Sequence, residues 1–197
     1  PMTDIRSNLE RIRATLPEGV TLIAVSKFHP IEALKEAYAA GQRDFGESRA
    51  QELVAKVPQM PADTRWHFIG HLQTNKVKQV VGCVDLIQSI DSERLLREVS
   101  KEALKAGRVV DVLLEVHVAR EETKTGFSPD ELLSLLTPEF VAALAGVRLR
   151  GVMGMASLTD DEERIAADFD AIRGVFDTLR AGVMRDCDYF DTVSMGM

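Results

Sequence analysis

Residues 22–30 of the 197-residue chain read LIAVSKFHP. A run of apolar, β-favouring residues ends in Ser26 and Lys27, and Phe28, His29 and Pro30 follow at once. Lysine is among the residues least often buried without a partner, so its place at the end of such a run has two readings. In one, Lys27 stands just past the strand, solvated or paired with a carboxylate such as Glu47. In the other it is a nucleophilic amine. Burial and a nearby cation both disfavour the ammonium form, and a neutral amine condenses with an aldehyde to a Schiff base. The rigid end of a strand would hold the nitrogen in place for that reaction.

The other reactive side chains carry weaker signals. His67 and His71 are four residues apart, but the pattern puts His67 inside a strand and His71 in the loop after it. The zinc arrangement needs both on one helix face, and no HExxH occurs. The acidic run Asp160, Asp161, Glu162 and Glu163 opens a helix, where carboxylates meet the positive end of the macrodipole. Met153 and Met155 in one strand, and Met195 and Met197 in another, gather near one rim. Methionine is ordinary core filler, and four together could also line a flat apolar slot. The run REETK at 120–124 reads as a solvated loop, and Gly126 as a turn residue.

These residues need a scaffold, and the hydrophobic pattern supplies one. A helix over 3–15 is followed by a strand over 20–27. Strands then recur at 43–46, 66–70, 84–90, 109–118, 147–157 and from 189 onward. Helices lie between them at 31–41, 47–57, 74–81, 91–107, 128–146 and 160–182, the fifth broken at Pro138. Short strands alternating with helices predict parallel strands joined by helical crossovers. Seven strands at this spacing point to α/β architecture of the (β/α)8 TIM-barrel type, with an extra N-terminal helix and the last β/α unit lacking. An open doubly wound sheet is the alternative, but no G-x-G-x-x-G follows the first strand. In a barrel, chemistry gathers at the C-terminal ends of the strands. Lys27, Glu47, Ser48, His71, Gln73, Ser89, Asp91, His117, Arg120, Met155, Ser157, Ser194 and Met195 all fall there.

Composition narrows the class without naming it. The net charge is −7, whereas binding to nucleic acid calls for clustered Lys and Arg. No stretch of about 18 apolar residues suggests a membrane span, and no secretory leader is visible. Cys83 and Cys187 lack metal-ligand spacing and are expected as free thiols in a reducing cytoplasm. One domain over residues 1–197 is expected, incomplete at its C-terminal end.

Six motifs, AVSKFHP, GQRDFGESRAQE, WHFIGHLQTNKVK, EETKTGF, RGVMGMAS and VSMGM, stand in this order. The chain resembles the pyridoxal phosphate homeostasis proteins (the YggS/PROSC family) from about Leu9 to Met197. That family is similar to the N-terminal barrel of alanine racemase without its second, β-rich domain. The resemblance implies a barrel that binds pyridoxal 5′-phosphate (PLP) as an aldimine on Lys27. It also implies a role in vitamin B6 and amino-acid homeostasis, with no established turnover; a racemase-like activity on amino acids is the alternative. The expected cofactor-binding residues are Lys27, Ser48, His71, Met153, Ser194 and Met195, with no catalytic residue and no metal ligand assigned. Three departures stand out. Ser48 occupies the place of a usual asparagine, His117 replaces another, and the family's phosphate-binding segment after SMGM is lacking. The implied partners are PLP and PLP-dependent apoenzymes that accept it. A cytoplasmic monomer is expected, without nucleic acid or membrane.

Overall fold

The computed structural model describes residues 4–119 and 125–196. Its strands are apolar on both faces where helices cover them from outside and other strands from inside. β5 (Val110–Val116) is buried at every position but Asp111, as expected of a parallel strand enclosed on both sides. With β1 (Ala24–Val25), β2 (Asp44–Glu47), β3 (Arg65–Phe68), β4 (Leu86–Ile90), β6 (Val147–Met155) and β7 (Thr192–Gly196) it forms one seven-stranded sheet. Every neighbouring pair is parallel, and the spatial order is the sequence order, β1 to β7. A doubly wound sheet reverses its strand order at a switch point, so the sequential order excludes that alternative. The sheet curls as a barrel wall does, and a Ser194–Gln88 hydrogen bond joins β7 to β4 across its concave face.

The helices form as their caps and stripes dictate. α1 (Ile5–Thr15) starts on Asp4, whose carboxylate accepts from the Arg6 N–H. α2 (Ile31–Ala39), α3 (Ala50–Lys56) and α4 (Val77–Val81) return the chain between the first strands. α5 (Glu93–Lys105) starts on Ser92, which accepts from the Leu95 N–H, and buries Leu95, Leu96, Val99 and Ala103. The expected break at Pro138 separates α6 (Pro129–Leu135) from α7 (Pro138–Ala143), and Thr137 caps the second piece. α8 (Glu162–Ala181) opens at the acidic run, with Asp161 accepting from the Glu163 and Arg164 N–H groups. Its Ile172, Val175, Phe176 and Leu179 are buried, and Phe176 stacks on Phe190 with centroids 5.1 Å apart. None of the helices described is long and apolar enough to cross a membrane.

The first strand differs from expectation. The sequence predicts a strand over 20–27, but only Ala24 and Val25 pair with β2. β1 is an edge strand with a ladder on one side, and the carbonyl of Leu22 is taken instead by the side chain of Gln42 at 2.7 Å. Val25 is consequently half exposed.

One glycine sets how closely a helix seats on the sheet. A Cβ at Gly154 would lie 2.3 Å from Cδ1 and 2.5 Å from Cγ1 of Ile172. Gly154→Ala is expected to lower stability by about 1–3 kcal/mol through overpacking, read as a fall in the urea midpoint. Adding Ile172→Ala should cost less than the sum of the two single changes, because the second opens the space the first needs.

Candidate functional site

The reactive residues converge on the C-terminal ends of the strands. Lys27 lies in the turn directly after β1 and is exposed. It makes no ion pair among the described residues. Glu47, its candidate partner on sequence grounds, is fully buried and holds Ser26 Oγ at 2.5 Å and Lys56 Nζ at 3.0 Å instead. The pairing of Lys27 with Glu47 is thereby corrected. Phe28, next along, has a φ of 64°, a left-handed conformation uncommon for a bulky residue. The Arg49 guanidinium covers its ring at 4.6 Å.

Ser48 is the first residue past β2 and packs against the bare backbone of Gly70, where a Cβ would come within 2.7 Å of Ser48 Cβ. That contact brings the end of β3 against the end of β2. His71 follows, largely exposed, with Nδ1 3.0 Å from Asp91 Oδ2. Beyond it a cavity of about 260 Å³ opens at the ends of β3, β5 and β6, lined in part by His71, Glu115, His117, Met153 and Met155. Lys27, Ser48 and Ser194 are not in its lining. The loop after β5 is tied back at its described end, where the His117 N–H donates to Phe127 O at 2.7 Å and the Phe127 N–H to Glu115 O at 2.8 Å. Arg120, Lys124 and Met197 lie outside the described residues.

Strand register decides how the β6 and β7 residues are used. Met153 pairs with Ser194, and Gly154 with Met195. Paired residues in a sheet share a face. Met153 and Ser194 therefore share the concave side, where Met153 lines the cavity and Ser194 reaches Gln88. Met195 shares the side of Gly154, which meets Ile172 of α8. Its side chain belongs to the helix side rather than the concave side.

Below the rim runs a polar chain that sequence reasoning did not assemble. Ser194 Oγ donates to Gln88 Oε1 at 2.6 Å, and Gln88 Nε2 faces His67 Nδ1 at 3.0 Å. His67 Nε2 lies 2.9 Å from Asp44 Oδ1, and Arg65 grips the same carboxylate through Nε and Nη2 at 2.9 and 2.7 Å. An amide nitrogen can only donate, so His67 Nδ1 accepts and Nε2–H points at Asp44. Each member thus has one orientation. The sequence signal was a polar residue in the apolar segment LIQSI, and its partners could not be read from that segment. Burial opposes ionisation of Asp44, but the hydrogen bonds from His67 and Arg65, with the Arg65 charge, outweigh it and hold the carboxyl at about 2.

Residues 2–196 match the family described as alanine racemase, N-terminal domain. A pyridoxal phosphate homeostasis protein of Schizosaccharomyces pombe is 37% identical over 205 residues, covering 100% of this chain and 84% of the relative. PipY of Synechococcus elongatus PCC7942 superposes with a TM-score of 0.86 without PLP and 0.83 with PLP bound. It is 32% identical, with 98% of this chain and 97% of PipY covered. Alanine racemase of Streptomyces coelicolor A3(2) shares the fold, with a TM-score of 0.76 at 20% identity over 98% of this chain and 51% of the racemase. The chain belongs to the alanine racemase N-terminal domain family and, within it, to the pyridoxal phosphate homeostasis proteins.

Two measurements probe the polar chain. Gln88→Leu strands His67 Nδ1 and the Ser194 hydroxyl, and is expected to cost about 1–3 kcal/mol in urea unfolding. Asp44 supplies a pH dependence. Its folded value of about 2 lies below the ordinary 3.8, so its ionised form stabilises the fold fully above about pH 4 and this contribution is lost as pH falls further. Asp44→Asn should therefore be less stable than the parent by of the order of 1–2 kcal/mol at pH 7, allowing for solvent screening. The gap should narrow below about pH 4.

Proposed function

We propose that this chain holds PLP on Lys27 and serves vitamin B6 and amino-acid homeostasis by keeping and releasing the cofactor. The carrying observation is the state of Lys27. Its amine stands at the end of β1 with its candidate carboxylate partner, Glu47, committed to Lys56 and Ser26. The PLP-bound form of PipY, at 32% identity and a TM-score of 0.83, supports the same reading.

The residues present suit the flat aromatic aldehyde part of PLP, with Lys27 as its attachment point. Lys27 Nζ would hold the cofactor through its aldehyde carbon. Bound PLP supplies an electron-withdrawing ring conjugated to the attachment point. Ser194 keeps its hydroxyl proton on Gln88 and its lone pairs available as acceptors. Met153 gives the concave side an apolar surface, and Ser48 adds a short hydroxyl next to the β2 end. His71 is turned by Asp91, which takes its Nδ1 and leaves Nε2 for a ligand or solvent. Met195 contributes its backbone. Residues 1–197 belong to one PLP-binding barrel domain that is C-terminally incomplete here, and it acts as a cytoplasmic monomer with PLP-dependent apoenzymes as acceptors of the cofactor.

Adding PLP to the purified protein and to Lys27→Ala tests this. A visible absorption band of protein-bound cofactor is expected in the parent and not in the variant. Borohydride reduction followed by peptide mass spectrometry should locate the adduct on Lys27. Amino acids added to the loaded protein should give no sustained turnover; a steady conversion would favour the racemase-like alternative. No band in the parent would refute PLP binding on Lys27.

A further inference from the structure

Lys56 is buried on α3, with a residue exposure of 7%. Its ammonium has three protons, and three acceptors surround it: Ser26 O at 2.8 Å, Glu47 Oε2 at 3.0 Å and Glu52 Oε2 at 2.7 Å. The same Glu52 oxygen accepts from the Phe28 N–H at 2.8 Å. The Ser26 carbonyl belongs to the peptide bond before Lys27, and the Phe28 N–H to the one after it. Both peptide planes that flank the Lys27 Cα are therefore tied to a single buried cluster. Two fixed planes fix φ and ψ of the residue between them, and with these the direction of its Cα–Cβ bond.

We infer that Lys56 is a positioning residue: through Glu52 and the Ser26 carbonyl it fixes the turn that aims Lys27. This rests on the reading of Lys27 as the cofactor's attachment point, but the bracing itself is a property of the turn. Two further observations support it. Phe28 holds its left-handed φ, which persists only where surrounding contacts over-determine it; Glu52 holds its N–H and Arg49 its ring. Buried ion pairs are also weak sources of stability compared with apolar packing, so a buried lysine between two carboxylates is better explained by geometry. Within the cluster, burial pushes the Glu47 carboxyl up against the opposing hydrogen bonds of Ser26 and Lys56. Burial also opposes ionisation of Glu52, but the hydrogen bonds from Lys56 and Phe28 prevail and hold it below the ordinary range. Lys56 Nζ lies closer to Glu52 Oε2, at 2.7 Å, than to Glu47 Oε2, at 3.0 Å.

The test compares the parent with Lys56→Met, Glu52→Ala and Glu52→Gln. Glu52 is partly exposed, so its variants should fold even if Lys56→Met does not. Glu52→Gln keeps an acceptor for the Phe28 N–H and serves as the conservative control. Hydrogen exchange in the cofactor-free proteins reads the turn directly. The Phe28 amide should exchange about tenfold faster or more in Lys56→Met and Glu52→Ala, with the β5 and β6 amides unchanged. Glu52→Gln should stay closer to the parent. Titration with PLP should show affinity at Lys27 weakened by about tenfold in the first two variants. Unchanged Phe28 exchange in folded Glu52→Ala, with PLP affinity within about twofold of the parent, would overturn the inference. Faster exchange in a protein whose parent takes no PLP on Lys27 would refute the attachment reading and leave the bracing supported.

Discussion

The curl of the sheet is the constraint on which this protein depends, and a hydrogen bond between β4 and β7 records it. β4 and β7 are three strand spacings apart, which in a flat sheet is about 14 Å. A serine and a glutamine cannot span that distance. Ser194 and Gln88 meet at 2.6 Å because the sheet bends until its concave sides face one another. The contact also continues inward. His67, Asp44 and Arg65 pass the hydrogen bonding from Gln88 back to the surface, through β3 and β2. Buried polar groups cost free energy unless partnered; the links of Gln88, His67, Asp44 and Arg65 run between neighbouring strands, and the Ser194–Gln88 link forms only when the sheet is curled. The chain of hydrogen bonds therefore rewards one curvature among the many that apolar packing alone would tolerate.

The site depends on that curvature. Met153 and Ser194 face inward on adjacent strands because β6 and β7 pair in the register Met153↔Ser194. A slip of one residue would exchange Met195 for Ser194 on the concave side and break the link to Gln88. Gly154 and Ile172 guard the other face by letting α8 approach closely. The rim is thus held from inside by hydrogen bonds and from outside by packing.

Two buried carboxylates on β2 show how local surroundings divide similar groups. Asp44 sits between His67 and a bidentate arginine and is held at about 2. Glu47, three residues on and fully buried, shares one lysine with Glu52, and burial keeps its carboxyl raised. The first anchors the foot of the polar chain. The second belongs to the cluster beneath the Lys27 turn, and its commitment to Lys56 leaves Lys27 without that carboxylate. The relation to alanine racemase at 20% identity concerns the fold; the relatives near one-third identity place the chain in its family.

The sequence alone determined the alternation of elements, the parallel class, the break at Pro138, the start of α8 at its acidic run and the position of Lys27 at a strand end. All of these rest on local signals: periodicity, caps, proline and glycine. Tertiary structure decided the rest. The first strand is only Ala24–Val25, with the Leu22 carbonyl bonded to the Gln42 side chain rather than to a ladder. Met195 went to the helix face because strand register is a pairing property. Lys56 reads in sequence as an ordinary lysine four residues after Glu52, of the kind that decorates an exposed helix, and only the docking of α3 buries it. The Ser194–Gln88 contact joins residues 106 positions apart, and no local pattern encodes a partner at that distance. Side-chain chemistry can be read where neighbours in the chain supply the environment; where distant strands supply it, the fold has to form first.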